Sequence, residues 1–141
     1  ASGVSVNLGG DIRCIGTPAH PGGWIINISD PSDYTKTIST IAITDGAVAT
    51  SSVFARQWDP TRTTRHIMDH SGESTSHTLG ATVIANTCAW AETWTKAAIL
   101  GDTTQIFDDI DSAGMAALTV QESHILLRSN NWNTYETQPQ Q

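Results

Sequence analysis

Turn signals recur along this chain at intervals that leave room for strands more readily than for long helices. Gly9-Gly10, Pro21-Gly22-Gly23, Asp30-Pro31, Asp45-Gly46, Asp59-Pro60 and Gly101-Asp102 each interrupt a run of apolar and hydroxyl residues. Within those runs the apolar positions alternate. Val4, Val6 and Leu8 share one face of residues 3–16, and Trp24, Ile26 and Ile28 share one face of residues 24–30. Residues 37–44, TISTIAIT, lead through Asp45-Gly46 into residues 47–58, the pattern of a hairpin. A repeat of two places alternate side chains on opposite faces of a strand. The expectation is a mainly β fold, an antiparallel β-sandwich or barrel, in a single globular domain spanning 1–141. Residues 130–141 lack periodicity and are expected to fray.

One stretch resists this reading. Residues 81–100 run without Gly or Pro, a length that suits a helix. Their several Thr and a period-two face through Ile84, Cys88, Trp90, Trp94 and Leu100 favour a strand. The alternative is an α+β fold with a helix at about 82–99. Residues 103–110 read as a strand, 111–114 as a turn, and 115–128 as a strand or short helix. Residues 60–78 read as a long polar loop holding three of the five His.

Composition excludes several partners. Net charge is -7 and the seven cations are scattered, so no surface neutralises a polyphosphate and nucleic acid is not expected. No segment approaches the apolar length of a membrane span. Only 15% of residues are charged, so Thr, Ser, Asn and Gln must build the polar surface. Such surfaces suit assembled or sugar-binding β proteins, and they slightly favour an extracellular location. The chain opens without Met, which suggests processing. Cys14 and Cys88 are the two cysteines, and their spacing leaves a disulfide and two free thiols equally open.

The candidate sites come from residue type. Five Trp against two Phe is unusual, because indole carries an N–H that needs a partner. On a strand, Trp90, Glu92 and Trp94 would point to one face, two indoles flanking a carboxylate, an arrangement that stacks on a pyranose and accepts from its hydroxyls. The bland reading has both Trp in the core. His66, His70 and His77, with Asp69 and Glu73, are weak metal-ligand candidates, but HIMDH is not a zinc motif and a solvated loop explains it. Asp108, Asp109 and Asp111 fail the spacing of a calcium loop. Gly9-Gly10 and Gly22-Gly23 read as turn glycines, and no GxSxG elbow, GxGxxG or phosphate-binding loop is present.

These observations point to a non-catalytic, lectin-like carbohydrate-binding protein whose partner is a glycan or glycoprotein, with Trp90, Glu92 and Trp94 as its ligand-binding residues, no cofactor, and a possible homo-oligomeric state. The alternative is a structural or self-assembling β protein such as a coat, pilus or fibre subunit. A polysaccharide-active or metal-dependent enzyme is the third reading.

Overall fold

A computed structural model describes residues 2–18, 21–54, 67–68, 70–72 and 77–137. The structure is mainly β, with 47% of the described residues in strands and with two helices among them. The strands are β1 (Gly3–Leu8), β2 (Asp11–Gly16), β3 (Trp24–Asp30), β4 (Asp33–Ile43), β5 (Gly46–Ser52), β6 (Thr78–Ala85), β7 (Ala116–Gln121) and β8 (Leu126–Arg128). Helices α1 (Cys88–Leu100) and α2 (Thr103–Ser112) follow β6, and a 3-10 turn at Asn130–Thr134 follows β8. Six strands form one antiparallel sheet in the order β1-β2-β5-β6-β7-β8, while β3 and β4 form a separate hairpin.

Strand alternation sorts the central sheet into two dissimilar faces. Cys14, Val48, Ile84, Ala116 and Leu118 point to one side and pack with Ile26, Ile28, Ile41 and Ile43 of the hairpin. Their neighbours Ala49, Val83, Ala85 and Ala117 point to the other side and pack with Ala91 and Ile110 of the helices. The helix-facing side is built largely of Ala, which lets α1 lie close against β5 and β6. The molecule is thus layered as hairpin, sheet, helices.

The α+β alternative describes residues 81–100 better than a continuous strand. Strand β6 stops at Ala85, and Thr87 then caps α1 by accepting from the backbone N–H of Trp90 at 3.3 Å. A Thr cap satisfies one of the N–H groups that a helix start leaves unpaired. Ala91, Thr95, Ala98 and Ile99 are the buried face, at helical spacing. Residues 103–110 are also helical rather than extended. Asp102 caps α2 by accepting from Gln105 N–H, and Ile106 and Ile110 recur at i,i+4. Residues 115–128 form the β7–β8 hairpin.

The C-terminal stretch expected to fray is anchored through residue 137. Trp132 is fully buried against the hairpin layer. Asp111 caps this stretch by accepting from the backbone N–H groups of Asn130 (2.7 Å) and Asn131 (3.0 Å). Burial opposes ionisation of Asp111, but these bonds and Ser129 outweigh it and hold the carboxyl below its usual range. Backbone bonds Ala42 N–H to Tyr135 O (2.9 Å) and Thr137 N–H to Thr40 O (2.8 Å) then tie the chain to β4. Glu136 accepts a bidentate bond from Arg128 and another from Ser39 Oγ at 2.7 Å.

Cys14 and Cys88 are free thiols. Cys14 is buried on the hairpin side of β2 beside Ser5 Oγ, whereas Cys88 touches the carbonyl of Ile12 from α1. The backbone of β2 separates them, so the disulfide alternative does not describe this fold.

Burial opposes ionisation of Glu136, but Arg128 and Ser39 outweigh it and lower its titration. A carboxylate lowered by folding stabilises the protein above its unfolded pKa and loses that contribution as pH falls through the folded value. Melting temperature should therefore fall as pH is lowered from about 5 to about 3. Glu136→Gln should melt lower than wild type at neutral pH and show a shallower acid slope. Identical slopes in the two proteins would contradict the assigned ion pair.

Candidate functional site

A cleft of about 370 Å³ lies between the hairpin and the central sheet. Ile26, Ile28 and Ile38 form its hairpin wall, and Ile12, Val48, Leu118 and Val120 its sheet wall. The cleft exists because the hairpin pairs with no strand of the large sheet. The two are joined instead at their margins. Trp24 Nε1 donates to Gly16 O at 3.2 Å at one end. At the other, Pro31 packs on Gly80, where a Cβ would come within 3.0 Å of the proline ring. Within the cleft the hydroxyls of Thr50 and Thr82 bond each other at 3.0 Å. Asn7, Asn27 and Ser52 add further polar groups to the lining.

The mouth of the cleft is the β1–β2 turn. Gly9 and Gly10 adopt φ of +68° and +108°, left-handed values that favour glycine. Gly10 N–H donates to Asn7 Oδ1 at 3.1 Å. The register of β2 with β5 ends at Ile12–Val48, so the two strands part as β5 runs on to Ser51 and Ser52.

A polar cluster adjoins this opening on the helix side. Ser51 lines the cleft and its hydroxyl bonds Thr95 Oγ1 at 2.7 Å. Lys96 Nζ donates to Ser51 Oγ at 2.9 Å and to the Glu92 carboxylate, one helical turn away. Asp11, the first residue after the glycines, faces the same group. Burial and the Glu92 charge push its carboxyl up, and Lys96 partly offsets them. Burial and the charge of Asp11 likewise raise the Cys88 thiol. Two carboxylates around one ammonium, beside an apolar cleft, can bind a cationic or hydrogen-bonding group and can exchange a proton through Asp11.

The structure separates the residues that a strand would have aligned. Trp90 and Trp94 share a face of α1, one turn apart, but Glu92 lies about 200° from Trp90 around the helix. Trp90 is exposed, Trp94 packs in the cluster beneath the helices, and Glu92 turns to Lys96 and Ser51. His70 and His77 are exposed, with His77 3.4 Å from Glu122. His66 lies outside the described residues, as do Asp69 and Glu73. Sequence reasoning missed Asp11, Ser51, Thr95 and Lys96. The i,i+4 spacing of Glu92 and Lys96 would have joined them on a helix; reading the segment as a strand hid it.

Replacing Lys96 with Met keeps a good helix former and removes the cation. The carboxyl of Asp11 should then titrate higher than in wild type, and Glu92→Gln should move it lower. Carbon NMR titration of the Asp11 carboxyl measures both. An Asp11 titration unchanged in either variant would contradict the cluster.

The sequence matches the ApbE family over residues 1–119. The fold aligns with the ApbE protein of Thermotoga maritima at a TM-score of 0.87 and 28% identity, over 96% of this chain and 45% of that one. It aligns with the flavin transferase ApbE of Vibrio cholerae at a TM-score of 0.71 and 21% identity, over 93% of this chain and 43% of that one. For the flavinyl transferase ApbE of Pseudomonas stutzeri the values are 0.68 and 19%, over 94% and 41%. No match is found among curated proteins. The chain spans less than half the length of these solved structures. It belongs to the ApbE family. This overturns the lectin-like reading, its glycan or glycoprotein partner and the expectation of a non-enzyme, because the ApbE proteins of Vibrio cholerae and Pseudomonas stutzeri are named as transferases of a flavin. It equally displaces the coat, pilus or fibre alternative. The third reading, a polysaccharide-active or metal-dependent enzyme, falls with them, because these names state the transfer of a flavin.

Proposed function

We propose that this ApbE-family chain carries a flavin-binding cleft and serves a flavin transferase. The observation that carries the reading is positional. The family match ends at residue 119, and every residue lining the cleft falls inside it except Val120. The cluster of Asp11, Ser51, Glu92 and Lys96 falls inside it as well.

The chemistry of the lining suits the ligand. A flavin ring system is flat and apolar on both faces, with hydrogen-bonding atoms along one edge. Ile12 and Ile38, the partly buried apolar residues of the two walls, match the faces, and the Thr50–Thr82 hydroxyls and the amide of Asn7 suit the edge. The volume of about 370 Å³ lies within the range of small-molecule sites, roughly 300–1,000 Å³. That space suits the ring, and the opening at Gly9-Gly10 lets the remainder of a flavin nucleotide extend toward Lys96. This cation can turn from Glu92 to an anionic group of the ligand, and Asp11 stands beside the same opening to accept a proton.

Titration with FMN and FAD, followed by calorimetry, tests the reading. Wild type should bind at least one of them. Thr50→Phe fills the cleft from an exposed position, so it should weaken binding by roughly tenfold or more with little change in melting temperature. Failure of wild type to bind either flavin, or binding indifferent to Thr50→Phe, would contradict the proposal.

A further inference from the structure

We infer that Tyr34 is the stacking residue of this cleft, its ring closing over one face of the bound flavin. The inference rests on the flavin reading above and adds a specificity-determining residue to it.

Tyr34 is the single aromatic among the residues that line the cleft. It is nevertheless 63% exposed, and its phenol makes no hydrogen bond among the described residues. A tyrosine usually buries its ring and leaves only its hydroxyl wet, so a ring left open beside apolar walls has unused contact area.

The backbone places it there. In the β3–β4 ladder the register passes from Ile28–Ser39 to Ser29–Thr37, which leaves Ile38 without an opposite residue. It then passes from Ser29–Thr37 to Asp30–Asp33, which leaves residues 34–36 without one. Beyond these irregularities Ile41 and Ile43 face the central sheet. Strict alternation from Ile41 and Ile43 would therefore carry Tyr34 to the opposite, outer face of the hairpin. An extra residue at Ile38 reverses that alternation, and both Ile38 and Tyr34 line the cleft. Bulges commonly re-aim side chains beside binding sites in this way. The start of β4 is also fixed, since Asp33 Oδ1 accepts from Thr35 N–H at 3.2 Å and from Thr35 Oγ1 at 2.6 Å. The ring therefore stands on a held segment at the rim.

A phenol stacked on a flavin quenches its emission by electron transfer, which gives a readout separate from affinity and turnover. FMN is titrated into wild type, Tyr34→Phe and Tyr34→Ala while emission and visible circular dichroism are recorded. Wild type should bind FMN with strong quenching. Tyr34→Ala should bind roughly tenfold more weakly and leave the bound flavin bright. Tyr34→Phe should keep most of the affinity but recover part of the emission, because its ring stacks but donates electrons poorly. Because Tyr34 is exposed, all three proteins should melt alike. If Tyr34→Ala matches wild type in affinity and emission, the stacking role is wrong while the flavin reading stands. If wild type binds no FMN, the flavin reading itself has failed and Tyr34 has no role to play.

Discussion

The organisation of this protein depends on a hairpin that lies over a sheet without joining it. Strands β3 and β4 pair only with each other, apart from a single bridge between Ile41 and Glu136. Nothing in a strand ladder therefore fixes their distance from the six-stranded sheet. Apolar burial does so at the centre, through Ile26, Ile28, Ile41 and Ile43 on one side and Val48, Ile84 and Leu118 on the other. Polar ties at the margins fix the tilt, from Trp24 at one end and from Arg128, Ser39 and Glu136 along β4. Where the packed centre gives way to Thr50, Thr82 and the β1–β2 turn, the layers part and leave the cleft.

The two faces of the sheet divide labour through side-chain size. Branched residues fill the hairpin interface, where no backbone needs to approach closely. Alanines line the helix interface and bring α1 close enough for Ser51 to reach Thr95 and Lys96. That approach turns one helical ion pair into a cluster shared between two layers. An exposed Glu–Lys pair at i,i+4 is ordinarily worth only a few tenths of a kcal/mol. The interest of this one is its place beside the cleft and its grip on Ser51.

Much of the β architecture was legible from sequence because its signal is local. The alternation of Trp24, Ile26 and Ile28 and the Gly9-Gly10 turn each report a short-range constraint that the strands obey, whereas Asp45-Gly46 joins β4 and β5 of two different sheets and not the hairpin that its turn signal suggests. The helices were not legible in the same way. Residues 81–100 contain the end of a strand, a cap and a helix with no Gly or Pro between them, and averaging over them produces a false strand period. The site was obscured for the same reason. Glu92 was noticed for its flanking tryptophans, whereas its partners are Lys96 on its own helix and Ser51 on a strand 41 positions earlier. Trp132 sits in a stretch that reads as a fraying tail because a single buried aromatic carries no periodicity. The Tyr34 bulge likewise has no sequence signature, since it is visible only in the register of two strands.

The central claim is that the space between hairpin and sheet is where a flavin sits. Amide NMR spectra of the labelled protein, recorded with and without saturating FMN, test it most directly. The account predicts that the largest shift changes fall on Ile26, Ile28, Thr50, Thr82 and Leu118, which face one another across the cleft, and on Gly9 and Gly10 at its mouth. Residues on the exposed face of α2, such as Asp108 and Asp109, should stay in place. Changes confined to the helices or to the outer face of the hairpin, with the cleft amides unmoved, would contradict it.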